Sequence, residues 1–168
     1  MTFDSIDYKL IEILQQNARI TQLELAAEVG LSQPAVAERI RKLELEGIII
    51  AYSARVDGRK LGKDITAFIG VGVSHPKFNK AFAKKISAMP EVLECHHVTG
   101  KDSYLLKIKT ENTEKLDELI SVKLRTIPGV TRTQTTIVLS SVKEGMCIHP
   151  AIEKSPQQSR KIPKTKRN

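Results

Sequence analysis

The chain has 168 residues, of which 40% are hydrophobic and 27% are charged, which is the composition of an ordinary globular protein with one or two small domains. It has no apolar run of about 18 residues, which argues against a membrane protein. Its N-terminus lacks the basic residues and the apolar core of a signal peptide, which predicts a cytoplasmic location. The net charge of +8 suggests an anionic partner, but residues 1–55 hold six basic and eight acidic side chains, so bulk charge does not assign DNA binding to them.

The first 48 residues predict three helices. Asp4 is placed to cap the first helix, which we expect to end near Asn17. The second helix begins with a capping box formed by Thr21 and Glu24, and Gly30 permits the left-handed turn after it. The side chains that we expect to face the core from the second helix are Leu23, Ala26 and Ala27.

The third helix is expected to start at Ser32, which we predict to be its cap, and to stop at Gly47. Pro34 falls in its first turn, where no backbone N–H is needed. Its predicted buried stripe is Val36, Ile40 and Leu43. Two short helices joined by a tight glycine turn indicate a helix-turn-helix, centred on residues 26–43.

In a helix-turn-helix the second helix of the pair enters the major groove of DNA. Gln33 is suited to adenine, Arg39 to guanine, and Ala35 to a thymine methyl group. The other residues predicted to contact bases or phosphates are Ser32, Glu38, Arg41, Lys42, Arg19 and Thr21. The alternative for each of these residues is a solvated helix face with ordinary charges.

The remaining sequence predicts an α/β domain that nearly repeats itself. Residues 48–56 are rich in β-forming residues and predict a strand that leaves the helical domain. A strand at 66–71 and a helix at 78–89 are then echoed by a strand at 104–109 and a helix at 113–126. A repeated β-α-β unit predicts a ferredoxin-like βαββαβ sheet with two helices on one face.

The other face of this sheet would be bare in a monomer. Because apolar side chains alternate along the strands, some of them must point away from the helices. A bare apolar face of this kind predicts a homodimer with sheets packed face to face, and the strand near residues 49–56 is a candidate to pair across the dimer. The predicted fold class is therefore α+β, a winged-type helix-turn-helix followed by a βαββαβ domain.

Two segments resemble the Lrp/AsnC family of leucine-responsive and asparagine-type regulators. The first is LSQPAVAERIRKLE at 31–44, followed by EGII at 46–49, and the second is ECHHVTG at 94–100, followed by YLLK at 104–107. The resemblance extends from about residue 4 to residue 143. It implies a transcription regulator that binds double-stranded DNA, assembles from dimers into octamers or similar rings, and binds an amino acid or related small effector between dimers.

The resemblance also implies which residues line the effector pocket. In the family, the loop between the two middle strands has the form Gly-x-x-Asp-Tyr, and here Ser103 stands where the family usually has Asp, with Asp102 one place earlier. The residues that the resemblance assigns to the pocket are Val98, Thr99, Gly100, Asp102, Ser103 and Thr135, the last from a neighbouring dimer. The alternative is a plain hairpin that binds no ligand.

Enzymatic and metal-dependent functions were weighed against this interpretation. Some haem-precursor decarboxylases resemble the family in both domains, and a sirohaem-type decarboxylase is the alternative function, with His96 and His97 as its candidate residues. We expect no enzyme activity and no cofactor. We also expect no metal site, because Cys95 and His97 share one face of a strand while His96 points to the other face. The two cysteines, Cys95 and Cys147, are expected to be free.

The sequence predicts four regions. These are a DNA-binding domain at 1–48, a strand and linker at 49–63, an effector-binding and oligomerisation domain at 64–143, and a basic tail at 144–168. The tail is expected to be disordered, and it either adds salt-sensitive DNA affinity or only solubilises the protein.

Overall fold

The computed structural model describes residues 3–149, which form two compact units. One is a helical unit of residues 3–54 together with 145–149, and the other is an α/β unit of residues 55–144. Residues 150–168 of the predicted tail lie outside the described residues, and residues 145–149 belong to the helical unit. Within residues 3–149, no helix has both the length and the apolar character needed to cross a membrane.

The helical unit contains α1 (Ser5–Gln16), α2 (Gln22–Val29) and α3 (Gln33–Leu45). Two of the three predicted N-terminal caps form the expected hydrogen bonds. The Asp4 carboxylate accepts hydrogen bonds from the backbone N–H groups of Ile6 and Asp7, each at 2.9 Å. Thr21 and Glu24 form the reciprocal capping box of α2. These caps satisfy N–H groups that have no partner inside the helix.

Two predictions about these helices are wrong. Ser32 occupies the N-cap position of α3, but its side chain makes no capping hydrogen bond. In α2 the buried residues are Leu25 and Ala26, whereas Leu23 is 66% exposed and Ala27 is also exposed. The short helix has polar residues on both sides of its apolar run. The spacing therefore did not determine which of the apolar residues face the core.

The helical core joins all three helices. Its buried members are Leu10, Leu14, Leu25, Ala26 and Val36. The chain passes from α2 to α3 through Gly30, whose φ of 70° lies in the left-handed region, where a side chain would be strained. The tight turn leaves α3 free to present the opposite face to solvent.

The strand predicted at 48–56 is not formed in the described chain. The backbone N–H groups of Ile48 and Ile49 both donate to the carbonyl of Leu43, at 2.9 and 3.1 Å, and close the end of α3. Residues 50–56 then continue without regular structure, and Ile50 is 90% exposed. A strand requires a neighbouring strand to bond its backbone, and the described helical unit contains none.

The α/β unit has the predicted βαββαβ order. Its elements are β1 (Ile65–Val73), α4 (Asn79–Ser87), β2 (Val92–His97), β3 (Tyr104–Thr110), α5 (Thr113–Glu118) with a π-helical continuation (Leu119–Leu124), and β4 (Val130–Ile137). The strands form one antiparallel sheet in the order β2-β3-β1-β4. This order and the two helices confirm the ferredoxin-like prediction.

Both helices cover one face of the sheet. From β1 and β3, alternate residues such as Ile69 and Leu106 are fully buried under Phe82 of α4 and Leu119 of α5, as alternation along a strand requires. The opposite face, called the open face below, carries Phe68 and Leu105, and each of these is still 37% exposed. The predicted one-sided core is therefore confirmed within the chain.

Candidate DNA-binding and effector-binding sites

The solvent-facing side of α3 carries most of the residues predicted to contact DNA. Ser32 and Gln33 are exposed at its N-terminus, and Ala35 is half-buried beside them. Glu38, Arg41 and Lys42 follow at helical spacing and are also exposed. The N-terminal residues of a recognition helix are the ones that reach base edges, and Gln33 is exposed at that end of α3.

Glu38 links the two basic residues of this surface. Its carboxylate accepts two hydrogen bonds from Arg41, both at 2.8 Å, and lies 3.7 Å from the Lys42 ammonium. These hydrogen bonds lower the pKa of Glu38 and raise that of Arg41. All three side chains are largely in solvent, where such pairs are weak, so a phosphate can take the place of the carboxylate as the partner of Arg41.

Arg39 was predicted to contact guanine, and in the structure its guanidinium contacts two carboxylates at the start of α1. Its Nη1 donates to Asp7 Oδ1 at 2.7 Å and lies 2.9 Å from Asp4 Oδ2. The guanidinium therefore joins α3 to both members of the capping box of α1. Asp7 is only 9% exposed, so releasing Arg39 toward DNA would leave a nearly buried carboxylate without its cation.

Arg19 and Thr21 lie on the connection between α1 and α2. Arg19 is exposed and remains a candidate for phosphate. The Thr21 hydroxyl accepts from the Glu24 N–H at 3.2 Å and donates to the Glu24 carboxylate at 2.8 Å. Because that hydroxyl is already used in the capping box, the Thr21 side chain is a poorer phosphate contact than predicted.

The different placements of Gln33 and Arg39 give a testable contrast. We expect Gln33→Ala to leave the thermal stability unchanged and to reduce discrimination between DNA sequences, by about 1–3 kcal/mol for the base it contacts. We expect Arg39→Lys to lower the melting temperature, because lysine cannot reproduce the planar fork that reaches both carboxylates, and to leave the ranking of DNA sequences unchanged. Melting curves and competition binding against a pool of base-substituted duplexes measure both. If Arg39→Lys changed the ranking of DNA sequences, Arg39 would contact bases as predicted.

The loop predicted to bind an effector joins β2 to β3. Ser103 donates its backbone N–H to the carbonyl of Val71 at 2.9 Å, and its hydroxyl accepts from the N–H of Val73 at 3.1 Å. The pairing of β1 with β4 is irregular between Gly72 and Val73. The Ser103 hydroxyl thus supports an irregular point of β1, which is a structural use of the residue that departs from the family pattern.

Asp102 is held against the open face by an arginine that the sequence analysis did not single out. Arg132 Nη2 donates to the carbonyl of Lys101 at 2.8 Å and also to the Asp102 carboxylate. A Cβ atom on Gly70 would clash with the Asp102 carboxylate, so the glycine leaves space for it. Arg132 is separated from the loop by 28 or more positions, and no local spacing rule would have paired them.

Thr135 and the loop lie on different faces within one chain. Thr135 pairs with Ile69 on the helix side of the sheet, whereas Asp102 lies over Gly70 on the open face. The structure therefore does not bring Thr135 to the loop. Near the beginning of β4, a shallow cavity of about 350 Å³ is lined by Arg125, Val130, Thr131, Arg132 and Thr133. The Nε atom of Arg132 is buried and has no hydrogen-bond partner among residues 3–149.

The pairing of Asp102 with Arg132 predicts coupled effects of mutation. Each of Asp102→Asn and Arg132→Gln is expected to destabilise the α/β unit by about 1 kcal/mol, as for other partly exposed ion pairs, and the double variant by little more than either single variant. Urea unfolding of the four proteins gives the coupling energy. Fully additive losses would mean that the two side chains do not interact in solution.

The Cys-His-His run on β2 divides between the two faces as predicted. Cys95 and His97 pair with Leu106 and Tyr104 on the helix side, whereas His96 pairs with Leu105 on the open face. The His97 and Tyr104 rings are 5.0 Å apart. Across residues 3–149, no three His, Cys, Asp or Glu side chains are grouped closely enough to hold a metal ion.

Comparison with known protein families matches both units. Residues 3–50 match the model described as winged helix-turn-helix DNA-binding, and residues 66–148 match the Lrp/AsnC ligand binding domain. The chain belongs to the Lrp/AsnC family. This Lrp/AsnC protein is a DNA-binding transcription regulator with the two domains that the resemblance implied, and the family match to its ligand-binding domain ends at residue 148.

Individual relatives agree with this assignment. An uncharacterised helix-turn-helix regulator of Bacillus subtilis, YezC, is 40% identical over 148 residues, which are 88% of this chain and 99% of the relative. A leucine-responsive regulatory protein of Rhizobium meliloti is 36% identical, with 84% of this chain and 92% of the relative aligned. Among solved structures, the Neisseria meningitidis regulator NMB0573 in complex with L-Met has a TM-score of 0.85 at 30% identity, covering 88% of this chain and 96% of its own.

Proposed function

We propose that this Lrp/AsnC regulator binds specific DNA sites as a homodimer and that an amino acid or related small molecule controls its assembly. The observation that carries the DNA-binding part is the exposed side of α3, where Gln33 is free to reach a base and Arg41 and Lys42 can reach phosphates. Two copies of α3 in a dimer would contact two half-sites about one helical turn apart. Each dimer then doubles the contacts of a small and slightly acidic helical domain.

The open face of the sheet is proposed as the dimer interface. Phe68 and Leu105 lie on it and are half-exposed in a single chain, although large aromatic and aliphatic side chains are usually buried. Beside them, Lys107 contacts Glu94 at 3.3 Å and Glu144 at 2.8 Å, which neutralises charge that would otherwise oppose burial. Packing two such faces removes both apolar patches from water.

The apolar segment at 50–56 is proposed to gain its partner in the dimer. Ile50 and Val56 are 90% and 65% exposed, and the backbone between them has no ladder partner within the described chain. Pairing with the same segment of a second copy would supply the missing strand. Further association of dimers into octamers or similar rings is proposed from the family resemblance.

The amino-acid effector is proposed to bind at the Asp102–Arg132 ion pair, between the loop and the start of β4. Arg132 belongs to both sites, because it contacts Lys101 and Asp102 and also lines the cavity. A free amino acid carries a carboxylate and an ammonium group, which match Arg132 and Asp102 in charge. The ligand would open the ion pair and take one partner at each end, with Val98, Thr99, Gly100 and Ser103 around it and Thr135 supplied by a neighbouring dimer.

The names of relatives support an amino acid as the effector class. One solved relative is described as a complex with L-Met, and another relative is described as leucine-responsive. For this chain, an effector controls DNA binding only if it binds one assembly state more tightly than another. A site that combines parts of two dimers meets this condition, because its affinity depends on how the dimers are arranged.

The effector proposal is tested by a thermal-shift screen against the twenty amino acids. An amino acid that binds the folded state should raise the melting temperature increasingly with concentration. The amide and the N-acetyl derivative of the same amino acid, which each lack one charge, are expected to be much weaker. Arg132→Gln should abolish the shift, whereas Lys84→Gln, on the exposed side of α4, should retain it. No stabilisation by any amino acid would contradict the proposal.

The sirohaem-type decarboxylase alternative has no support from the comparisons, in which the matched relatives are named as regulators. His96, one of its two candidate residues, makes a 3.3 Å contact with Glu94 on the open face, which is the surface proposed for the dimer. We therefore propose that the protein is not an enzyme and acts where the chromosome lies, in the cytoplasm.

A further inference from the structure

The Arg132 side chain is only partly paired in the structure. Its Nη2 donates to the carbonyl of Lys101 at 2.8 Å and to Asp102 Oδ1. Its Nε is buried and has no hydrogen-bond partner within residues 3–149, and a buried donor without an acceptor is destabilising. The Nε–H group and one Nη2–H group lie on the same edge of a guanidinium. A carboxylate that accepted from both with its two oxygens would therefore satisfy Arg132 better than Asp102 does.

A second arginine, Arg125, lines the same cavity as Arg132, the shallow cavity of about 350 Å³ at the start of β4. Arg125 Nε donates to the Thr133 hydroxyl at 3.1 Å, whereas its Nη groups make no hydrogen bond or ion pair within the part of the chain that the structure describes. The Thr133 hydroxyl accepts this bond and can still donate its own hydrogen. The cavity thus offers donors from Arg125 and Thr133 to a second anionic group.

The charges around this cavity favour a ligand with two carboxylates. The two arginines that line it are accompanied by one carboxylate, that of Asp102, which leaves an excess of one positive charge. A neutral amino acid carries no net charge and would leave this excess in place. An amino acid with an acidic side chain carries one net negative charge and would neutralise it. Attraction between opposite charges strengthens where a bound ligand excludes water.

The cavity suits an apolar side chain poorly. Val130 is the only apolar residue that lines it within the described chain, and the other lining residues are Arg125, Thr131, Arg132 and Thr133. A leucine or methionine side chain placed there would cover a guanidinium group without pairing it, and burying an unpaired polar group is costly. A site built from hydrogen-bond donors therefore discriminates against ligands that lack the matching acceptor.

We propose that the effector of this regulator is a dicarboxylic L-amino acid of the aspartate and glutamate class. This inference rests on the proposed function, because it takes the Asp102–Arg132 ion pair as the effector site. The α-carboxylate accepts from Nε and Nη2 of Arg132, and the ammonium group pairs with the displaced Asp102 carboxylate. The side-chain carboxylate accepts from the Nη groups of Arg125 and from the Thr133 hydroxyl. Every charged group of the site then has a partner.

The test is calorimetric titration of the full chain with each acid and its own side-chain amide, L-glutamate against L-glutamine and L-aspartate against L-asparagine. The two members of a pair have nearly the same shape and differ by one charge. At least one acid is expected to bind about tenfold or more tightly than its amide, as for the loss of one charged hydrogen bond. L-Leucine and L-methionine are expected to bind more weakly than that acid.

Variants at Arg125 show whether the preference comes from the cavity. Arg125→Gln keeps an N–H donor for Thr133 and is expected to bind acid and amide with equal affinity. Arg125→Lys keeps the charge and should preserve part of the preference, and Lys84→Gln, on the exposed side of α4, should preserve all of it. Glutarate and succinate lack the ammonium group that pairs with Asp102, and each should bind about tenfold or more weakly than the amino acid of the same length.

Three results would overturn the inference. They are equal affinities of acid and amide for the full chain, a preference that survives Arg125→Gln unchanged, and a dicarboxylate without an ammonium group that binds as tightly as the matching amino acid. If the chain binds a neutral amino acid and neither acid, the inference fails while the amino-acid effector proposal stands. If no amino acid binds, the effector proposal itself fails.

Discussion

Phe82→Ala is expected to lower the free energy of unfolding of the α/β unit by about 3–5 kcal/mol, as for other buried aromatic truncations. The Phe82 side chain is fully buried under the sheet, and its ring centroid lies 4.6 Å from that of Tyr104. Alanine would remove the aromatic contact between α4 and β3 and leave a cavity that the close-packed strands cannot fill. The loss approaches the whole stability of an ordinary small domain.

Urea unfolding followed by circular dichroism measures this effect, with Lys84→Ala on the exposed side of α4 as the matched control. The control is expected to change stability by less than about 0.5 kcal/mol. Because the proposed dimer and effector sites both lie on the α/β unit, Phe82→Ala should also lose dimers and effector response. A loss of less than about 1 kcal/mol would mean that Phe82 is not part of a tightly packed core.

Asp7→Ala is expected to destabilise the helical unit by about 2 kcal/mol, since it removes one partner of a nearly buried charged hydrogen bond. Asp7 accepts from Arg39 at 2.7 Å and from the Asp4 N–H at 3.1 Å. Its loss therefore removes one side of the capping box and one of the two carboxylates that hold α3 to α1. DNA affinity should fall with it, because the position of α3 depends on Arg39.

Thermal unfolding and DNA binding measured on the same samples check this prediction. Glu12→Ala is the control, since Glu12 is exposed on the same helix and forms no ion pair or hydrogen bond among residues 3–149. If Asp7→Ala kept the melting temperature of the control, the link from α1 to α3 would carry no energy. Reduced DNA affinity with an unchanged melting temperature would instead point to a direct contact of this region with DNA.

Acidic pH should destabilise the helical unit. The backbone N–H of Asp7 and the Arg39 guanidinium hold the pKa of Asp4 below its usual 3.8, and hydrogen bonds from Thr21 lower that of Glu24 from 4.5. Carboxyl groups with lowered pKa values stabilise the fold above their unfolded values and lose that contribution as the pH falls through the folded ones. The helical unit should therefore lose stability as the pH falls below about 4, and Asp4→Asn should flatten this dependence.

The architecture was predictable because its signals are local. The caps at Asp4 and Thr21 and the glycine at position 30 act within a few residues. Each strand and helix of the repeated pattern is likewise indicated by the residues within it. The order of strands then follows from the few topologies that a repeated β-α-β unit allows. The inward face of α2 was misassigned because Leu23 and Leu25 are both apolar, and only the packing of α1 and α3 selects Leu25.

The contacts at the candidate sites that the sequence did not predict join residues far apart in the chain. Arg39 lies 32 positions from Asp7, and Arg132 lies 30 from Asp102. Helical spacing places Arg39 on α3 but does not predict which carboxylates face it. The segment at 48–56 has the composition of a strand, and composition cannot show that residues 3–149 contain no strand that pairs with it.

The central claim, that α3 reads DNA, is tested most directly by selection of sheared genomic DNA on the full chain and on a triple variant, Gln33→Ala with Arg41→Ala and Lys42→Ala. These residues are exposed on α3, so the variant should keep the melting temperature of the full chain. The full chain is expected to enrich a discrete set of fragments that share two-fold repeated half-sites, and the variant is expected to enrich none of them. Equal enrichment by both proteins would contradict the claim, as would the absence of any enriched fragment with the full chain at low salt.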